Sequence, residues 1–236
     1  MLCQMHRGKR ALLLPDNRRA KRKGLGPERR FDKDLEQEGD HMKKIPTLFK
    51  REFENHRVVK VLPEVTPGFE WVLCGEGVAT VKYDGSCTMI KDGKFYKRYD
   101  AKKGKVPPAG AIPCQEKPDS VTGHWPHWVE VGDGPEDKWF REAYQNTKRI
   151  RGSDLADGTF EAMGPHFQGN PENWHEDILL RHGSGRASLS DYSFDGIRSF
   201  LEKTPIEGIV FWKDGEPQCK IKRSDFGFEW PVKKDE

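Results

Sequence analysis

The sequence predicts an α+β fold in which antiparallel sheets dominate and a few helices flank them. Three observations carry this expectation. Most apolar stretches are short, rich in β-branched residues and bounded by Gly or Asp-Gly steps. Two strand pairs close on a Lys-Asp-Gly step, a hairpin signal. Tandem strand–helix–strand alternation is missing, which argues against a parallel doubly wound sheet.

The elements follow in chain order. Residues 1–44 lack hydrophobic periodicity and carry 13 Lys/Arg against 7 Asp/Glu, so they read as a disordered basic leader. The codons for Gln37–Met42 can carry a purine-rich ribosome-binding sequence. We therefore expect translation to start at Met42, in a bacterial or phage source. From residue 45 to 236 one folded domain is expected. "HRVVKVL" and "EGVATVKY" are strands, and "CTMI-KDG-KFYKRY" is a hairpin. Residues 104–126, with five prolines and three glycines, form a loop, and "HWVEV" is a short strand. "EDKWFREAYQN" spaces Trp139, Phe140 and Tyr144 as one helical face. "DGTFEAMG" and "DILLRHG" are buried strands. "SFDGIRSFLEKT" is a helix with Ser193 as its cap and Ile197, Phe200 and Leu201 facing inward. "IEGIVFWKDGEPQCKIKR" is the last hairpin.

Composition excludes several classes. No window approaches 18 uninterrupted apolar residues, so no membrane span is expected. Five cysteines with no CxxC pair argue for a reducing cytoplasm and against a disulfide framework. The net charge of +3 divides into +6 for residues 1–44 and −3 for the rest, from 28 basic and 31 acidic residues. Bulk charge does not mark the body as a nucleic-acid binder. A local basic patch can, because counterion release counts only the groups that touch phosphate. Residues 91–105 supply one, with seven Lys/Arg interleaved with Phe95, Tyr96 and Tyr99.

The chemistry concentrates in four short segments. Lys82-Tyr-Asp-Gly85 holds a lysine at the end of an apolar run, just before a tight turn. Phe160-Glu161-Ala-Met-Gly164 places an acid among apolar neighbours, where it needs partners. Glu207-Gly-Ile-Val210 opens an apolar strand with a carboxylate, a donor suited to a hard cation. Lys220-Ile-Lys222 puts two cations on one strand face. A lysine attacks phosphorus only as the neutral amine, and nearby cations lower its pKa. The same cations stabilise phosphates in flight. "HWPHW" at 124–128 has no cysteine near it and reads as loop packing rather than zinc ligation.

In this order the four segments resemble motifs I, III, IV and V of the covalent nucleotidyltransferases, the superfamily of ATP-dependent ligases and mRNA capping enzymes. The resemblance spans residues 58 to 223. It implies a nucleotidyltransferase (ATP-grasp-like) ligase domain of antiparallel sheets with flanking helices. Within the family, "GPHFQGNPENWHEDILLRHGS" looks like a stretch of small stand-alone RNA ligases related to the vertebrate 5′–3′ RNA ligase. Fourteen residues follow Lys222, so no C-terminal OB domain is expected. Cys87 stands where DNA ligases usually carry an arginine.

The resemblance implies an ATP-dependent RNA ligase that joins RNA 5′-phosphate and 3′-hydroxyl ends in RNA repair. Lys82 would be the nucleophile that carries AMP. Val81 would offer its backbone carbonyl to adenine, and Glu161 would orient the ribose. His182 would lie near the base or phosphates. Arg98 would contact nucleotide or RNA, and Lys220 and Lys222 would neutralise phosphate. Glu207 would hold Mg2+, with Mn2+ as an alternative. An accessory protein or RNA-binding partner would hold the substrate. The competing readings are a DNA-nick ligase, a guanylyltransferase, and a non-catalytic nucleic-acid-binding module.

Overall fold

Every named strand pairs antiparallel in a computed structural model of the chain, which describes residues 42–54, 57–120 and 122–232. The basic leader, up to residue 41, lies outside the described residues. Its last three residues belong to the folded body. Met42 packs beside a buried cluster, and Lys44 Nζ donates to Thr122 Oγ1 at 3.0 Å.

Two strands, β1 (Phe49–Glu54) and β2 (Arg57–Val65), form a ribbon. A four-residue helix, α1 (Glu70–Leu73), leads into β3 (Val78–Lys82). β4 (Ser86–Lys91) and β5 (Lys94–Ala101) make the first expected hairpin. Its Asp92 and Gly93 both have positive φ, 50° and 72°, the backbone that a tight turn matching strand twist requires. The expected loop at 104–126 contains a two-residue strand, β6 (Ile112–Pro113), paired to β7 (Trp125–Glu130). "HWPHW" is therefore largely strand rather than loop. His127 is buried with Nδ1 2.9 Å from Trp125 O, and His124 lies 3.2 Å from Asp100.

A 3-10 turn (Pro135–Asp137) starts α2 (Lys138–Arg151). Glu136 and Asp137, at the start of the expected helix, sit in that 3-10 turn. β8 (Gly158–Met163) and β9 (Ile178–Arg181) follow, then α3 (Phe194–Lys203). Ser193 caps α3 by accepting from Gly196 N at 3.1 Å. β10 (Gly208–Lys213) and β11 (Glu216–Lys222) form the last hairpin, again over positive-φ Asp214 and Gly215.

Two larger sheets result. The order β11-β10-β3 makes a three-stranded sheet, and β6-β7-β5-β4-β8-β9 makes a six-stranded one. The first packs Ala79, Ile209, Phe211, Cys219 and Ile221 with Ile197 and Leu201 of α3. The second buries Ile90, Phe160, Ala162 and Leu179 against the aromatic face of α2, as the spacing of Trp139, Phe140 and Tyr144 predicts. Met89, Tyr96, Cys114 and Trp128 form a separate cluster. The chain crosses between the two sheets at the turn between β3 and β4, so residues 83–85 join them. None of the described helices is long and apolar enough to cross a membrane.

Candidate active site at the junction of two sheets

Strand register brings the basic residues together. Lys82 of β3 lies opposite Gly208 of β10, which lies opposite Lys222 of β11. The next row of that face is Thr80, Val210 and Lys220. Side chains two apart share a face, so Lys82, Lys220 and Lys222 project together. Gly208 contributes no side chain between Lys82 and Lys222. A Cβ there would meet Ile221 O at 2.3 Å, so the position excludes any other residue without backbone movement.

Glu207 fills the charge requirement of this row. It is buried, with its side chain 5% exposed. Its Oε2 accepts from Lys82 Nζ and its Oε1 from Lys222 Nζ. One carboxylate is thus shared by two ammonium groups, which leaves the trio one positive charge in excess. Lys220 has no such carboxylate. Burial, then repulsion from Lys82 and Lys222, lowers its pKa to about 8.

The six-stranded side answers with a different kind of site. Glu161 of β8 lies opposite Cys87 of β4. Its Oε1 accepts from Gly85 N at 3.0 Å and its Oε2 lies 2.8 Å from His182 Nε2. This half-buried acid therefore has two partners, as its apolar neighbours require. Gly85 comes so close to β8 that a Cβ would strike Ala162 O at 2.1 Å. His182, just beyond β9, is fixed by its amide bond to Thr159 O at 3.1 Å. Its Nδ1 is buried and has no hydrogen-bond partner among the described residues. The Arg98 guanidinium of β5 lies close enough to Cys87 for its charge to act on the thiol. Burial, then the Glu161 charge, pushes that thiol far above its ordinary range, while Arg98 acts in the opposite sense. Arg98 also adds to the repulsion on Lys220, so the two halves sense each other's charge.

Val81 faces the outer edge of β3, which the 185–187 segment bridges. Its N–H donates to Gly185 O at 2.8 Å, so it faces the 183–186 turn rather than β10. In an antiparallel strand the carbonyl of the same residue points the same way. Of the eight singled-out residues, Val81, Lys82, Glu207, His182 and Lys222 sit at or beside the ends of β3, β10, β9 and β11, Lys220 lies two residues inside β11, and Arg98 and Glu161 lie mid-strand in β5 and β8. The basic patch at 91–105 is less free than its composition suggests. Lys94 is paired with Glu130 and Lys97 with buried Asp137.

Three residues escaped the sequence reading. Asp84 accepts from Trp230 Nε1 at 2.7 Å, across 146 positions of sequence. Glu172, in the Gly-Asn-Pro stretch, reaches the same turn. Burial raises its pKa, and the charges of Asp84 and Glu207 add to the rise. Tyr83 also lies there, its pKa raised by burial and then by Glu172. Glu172 and Tyr83 belong to segments that the sequence had marked. Trp230 carries no local signal at all.

No family model matches the chain, and no curated protein matches it.

Proposed function

We propose that the protein is an ATP-dependent 5′–3′ RNA ligase of the nucleotidyltransferase type, acting through a lysyl-AMP intermediate. The observation that carries this reading is the convergence of Lys82, Lys220, Lys222 and Glu207 on one sheet face, beside the Glu161–His182 pair. Four segments far apart in sequence supply a nucleophile, phosphate-binding charges and a sugar-side acid within one junction. The order of those segments is the order of the family motifs.

Lys82 is the nucleophile. The amine gives up a proton, for which Glu207 is the carboxylate in contact, and then attacks the α-phosphorus of ATP. A P–N bond forms, the bond from that phosphorus to the bridging oxygen breaks, and pyrophosphate leaves. Lys220 and Lys222 stabilise charge on the phosphate oxygens. Lys220 gains most, since an arriving phosphate offsets the burial and the cationic neighbours that lower its pKa. Glu161 receives a ribose hydroxyl, His182 keeps Glu161 oriented, and the Val81 carbonyl edge meets adenine. Arg98 lies on the same floor, toward nucleotide or RNA. AMP then passes to an RNA 5′-phosphate, and a 3′-hydroxyl displaces it to seal the strand.

Glu207 also fits Mg2+. That ion is commonly held by one or two carboxylates together with substrate phosphates and water. Glu207 is a single buried carboxylate at the phosphate side, and once Lys82 turns to phosphorus its Oε2 is released. Bound there, the ion would supply neutralisation of the phosphate charge. Mn2+ meets the same donor requirement.

The test is covalent labelling. Purified protein with Mg2+ and α-labelled ATP should gain acid-labile AMP, with GTP and NAD giving none. Lys82→Ala should give no adduct by intact mass. Transfer of the label to 5′-phosphorylated RNA, followed by sealing, separates RNA ligation from DNA-nick sealing. Absence of any nucleotide adduct on the native chain refutes the reading.

A further inference from the structure

We infer that Cys87, Glu161 and His182 form a binding site for a borderline divalent transition metal of the Zn2+ class, distinct in chemistry from the Glu207 carboxylate. Each side chain brings one donor, a sulfur, an oxygen and a nitrogen, and the three donor atoms lie within 4.8 Å of one another. Three mixed protein donors with a fourth position open match a zinc site that accepts an outside ligand. Mg2+ prefers an all-oxygen shell and does not favour this set.

The geometry needs little adjustment. With bonds of about 2.0–2.3 Å, neighbouring donors of a tetrahedral site sit about 3.3–3.6 Å apart. The contact between His182 Nε2 and Glu161 Oε2 is 2.8 Å, so the ion must part it by roughly half an ångström. The frame around it is fixed by ladders: Cys87 opposite Glu161 on β4 and β8, and the His182 amide on Thr159 O. The metal takes the Nε2 lone pair and the ring proton moves to Nδ1, an atom with no protein partner to lose. The thiol proton leaves to solvent as the sulfur–metal bond forms, with no change of oxidation state. Thiolate, carboxylate and dication then sum to zero charge. The Arg98 guanidinium, whose charge already favours the thiolate, adds a cation beside the bound sulfur. Burial of the thiol opposes this step, and the dication beside it offsets that cost.

An ion held there occupies the acid and the imidazole that the proposed function gives to the nucleoside. It would therefore inhibit adenylylation in competition with ATP. This inhibitory half rests on the ligase reading, whereas the binding half does not. Cys87 marks a further difference from the DNA ligases that the sequence resembles, where an arginine stands at that position.

The experiment uses the full chain, metal-free and without nucleotide. Co2+ is titrated as the probe while sulfur-to-metal charge transfer and tetrahedral d–d absorption are followed. Zn2+ then displaces it, and excess Mg2+ does not. Cys87→Ser should abolish the charge-transfer band and weaken Zn2+ binding by more than about 100-fold, beyond the loss typical of an outer-shell change. Cys87→Ala repeats the measurement, with circular dichroism and a thermal melt showing that each variant folds. No charge-transfer band, or Zn2+ binding unchanged in both variants, overturns the site and assigns the ion to surface histidines. In the labelling assay, Zn2+ should suppress AMP attachment in the parent chain but not in Cys87→Ser. A metal-free parent chain that never takes AMP refutes the ligase reading alone, because the spectra still decide the metal site.

Discussion

Two carboxylates, one buried and one half-buried, face the same junction and are satisfied in opposite ways. Glu207, on the three-stranded side, is held by two ammonium groups. Glu161, on the six-stranded side, is held by a backbone amide and an imidazole. The first sits in a surplus of positive charge, which suits a polyanion. The second sits beside an amide, an imidazole and a thiol, which suits a hydroxyl-bearing ligand. Burial alone therefore does not define what a carboxylate does. Its partners do, and here they divide one site into a phosphate side and a sugar side.

Breaking the charged half should have the largest effect. Glu207→Gln keeps the volume and removes the shared anion, leaving Lys82 and Lys222 to repel. Adenylylation should fall by about 100-fold or more. Stability should fall by about 3 kcal/mol, the scale for stripping one partner from a buried ion pair. Single-turnover labelling and urea unfolding measure the two losses separately.

Lys220→Met should instead stabilise the fold while weakening activity. The sign follows from linkage. The folded-state pKa of Lys220 is lowered from 10.5 to about 8, so the unfolded chain holds the proton more tightly between those values. Stability of the parent chain thus rises with pH across that window, and the charged lysine is a burden below it. At pH 7 the variant should be more stable by up to about 3 kcal/mol. The difference should shrink as pH climbs from 8 toward 10.5. Thermal melts at several pH values read this, and a constant difference would contradict the assignment of the depressed pKa to Lys220.

A smaller effect should come from the neutral half. Glu161→Gln retains an oxygen for Gly85 and loses the charge that a ribose hydroxyl and His182 share. The KM for ATP should rise about tenfold, equivalent to about 1.4 kcal/mol, with the fold nearly unaffected. If the maximal rate changes and KM does not, the two carboxylates are not divided as described. Smallest of all, Trp230→Phe removes one hydrogen bond to Asp84 and should cost about 1 kcal/mol. Hydrogen exchange at residues 83–85 should quicken in that variant, since the turn loses a tether.

Local chemistry explains why much of the fold could be read in advance. Asp92-Gly93 and Asp214-Gly215 need positive φ, and their residue types advertise it. Ser193 caps the helix that its position announces. β1 gave no such signal: five of its six residues are exposed, so it shows no inward alternation. The pairing of β3 with β10 joins positions more than 120 apart and leaves no mark in either segment. The same limit applied to the site. Its acids and lysines were recognisable by type and order, and Glu161 was recognisably in need of a partner. That Lys82 and Lys222 share Glu207, and that Cys87 abuts Glu161, follows from cross-strand register, which no short window encodes.

The glycine at 208 has one more implication. It touches no proposed ligand and offers no functional group, yet it is the gap across which two cations share an acid. A methyl group placed there would act as a wedge, forcing the outer strands apart and unclasping a charge arrangement it never meets. Directed evolution of this protein would find the position closed to substitution, and a scan for ligand contacts would overlook why.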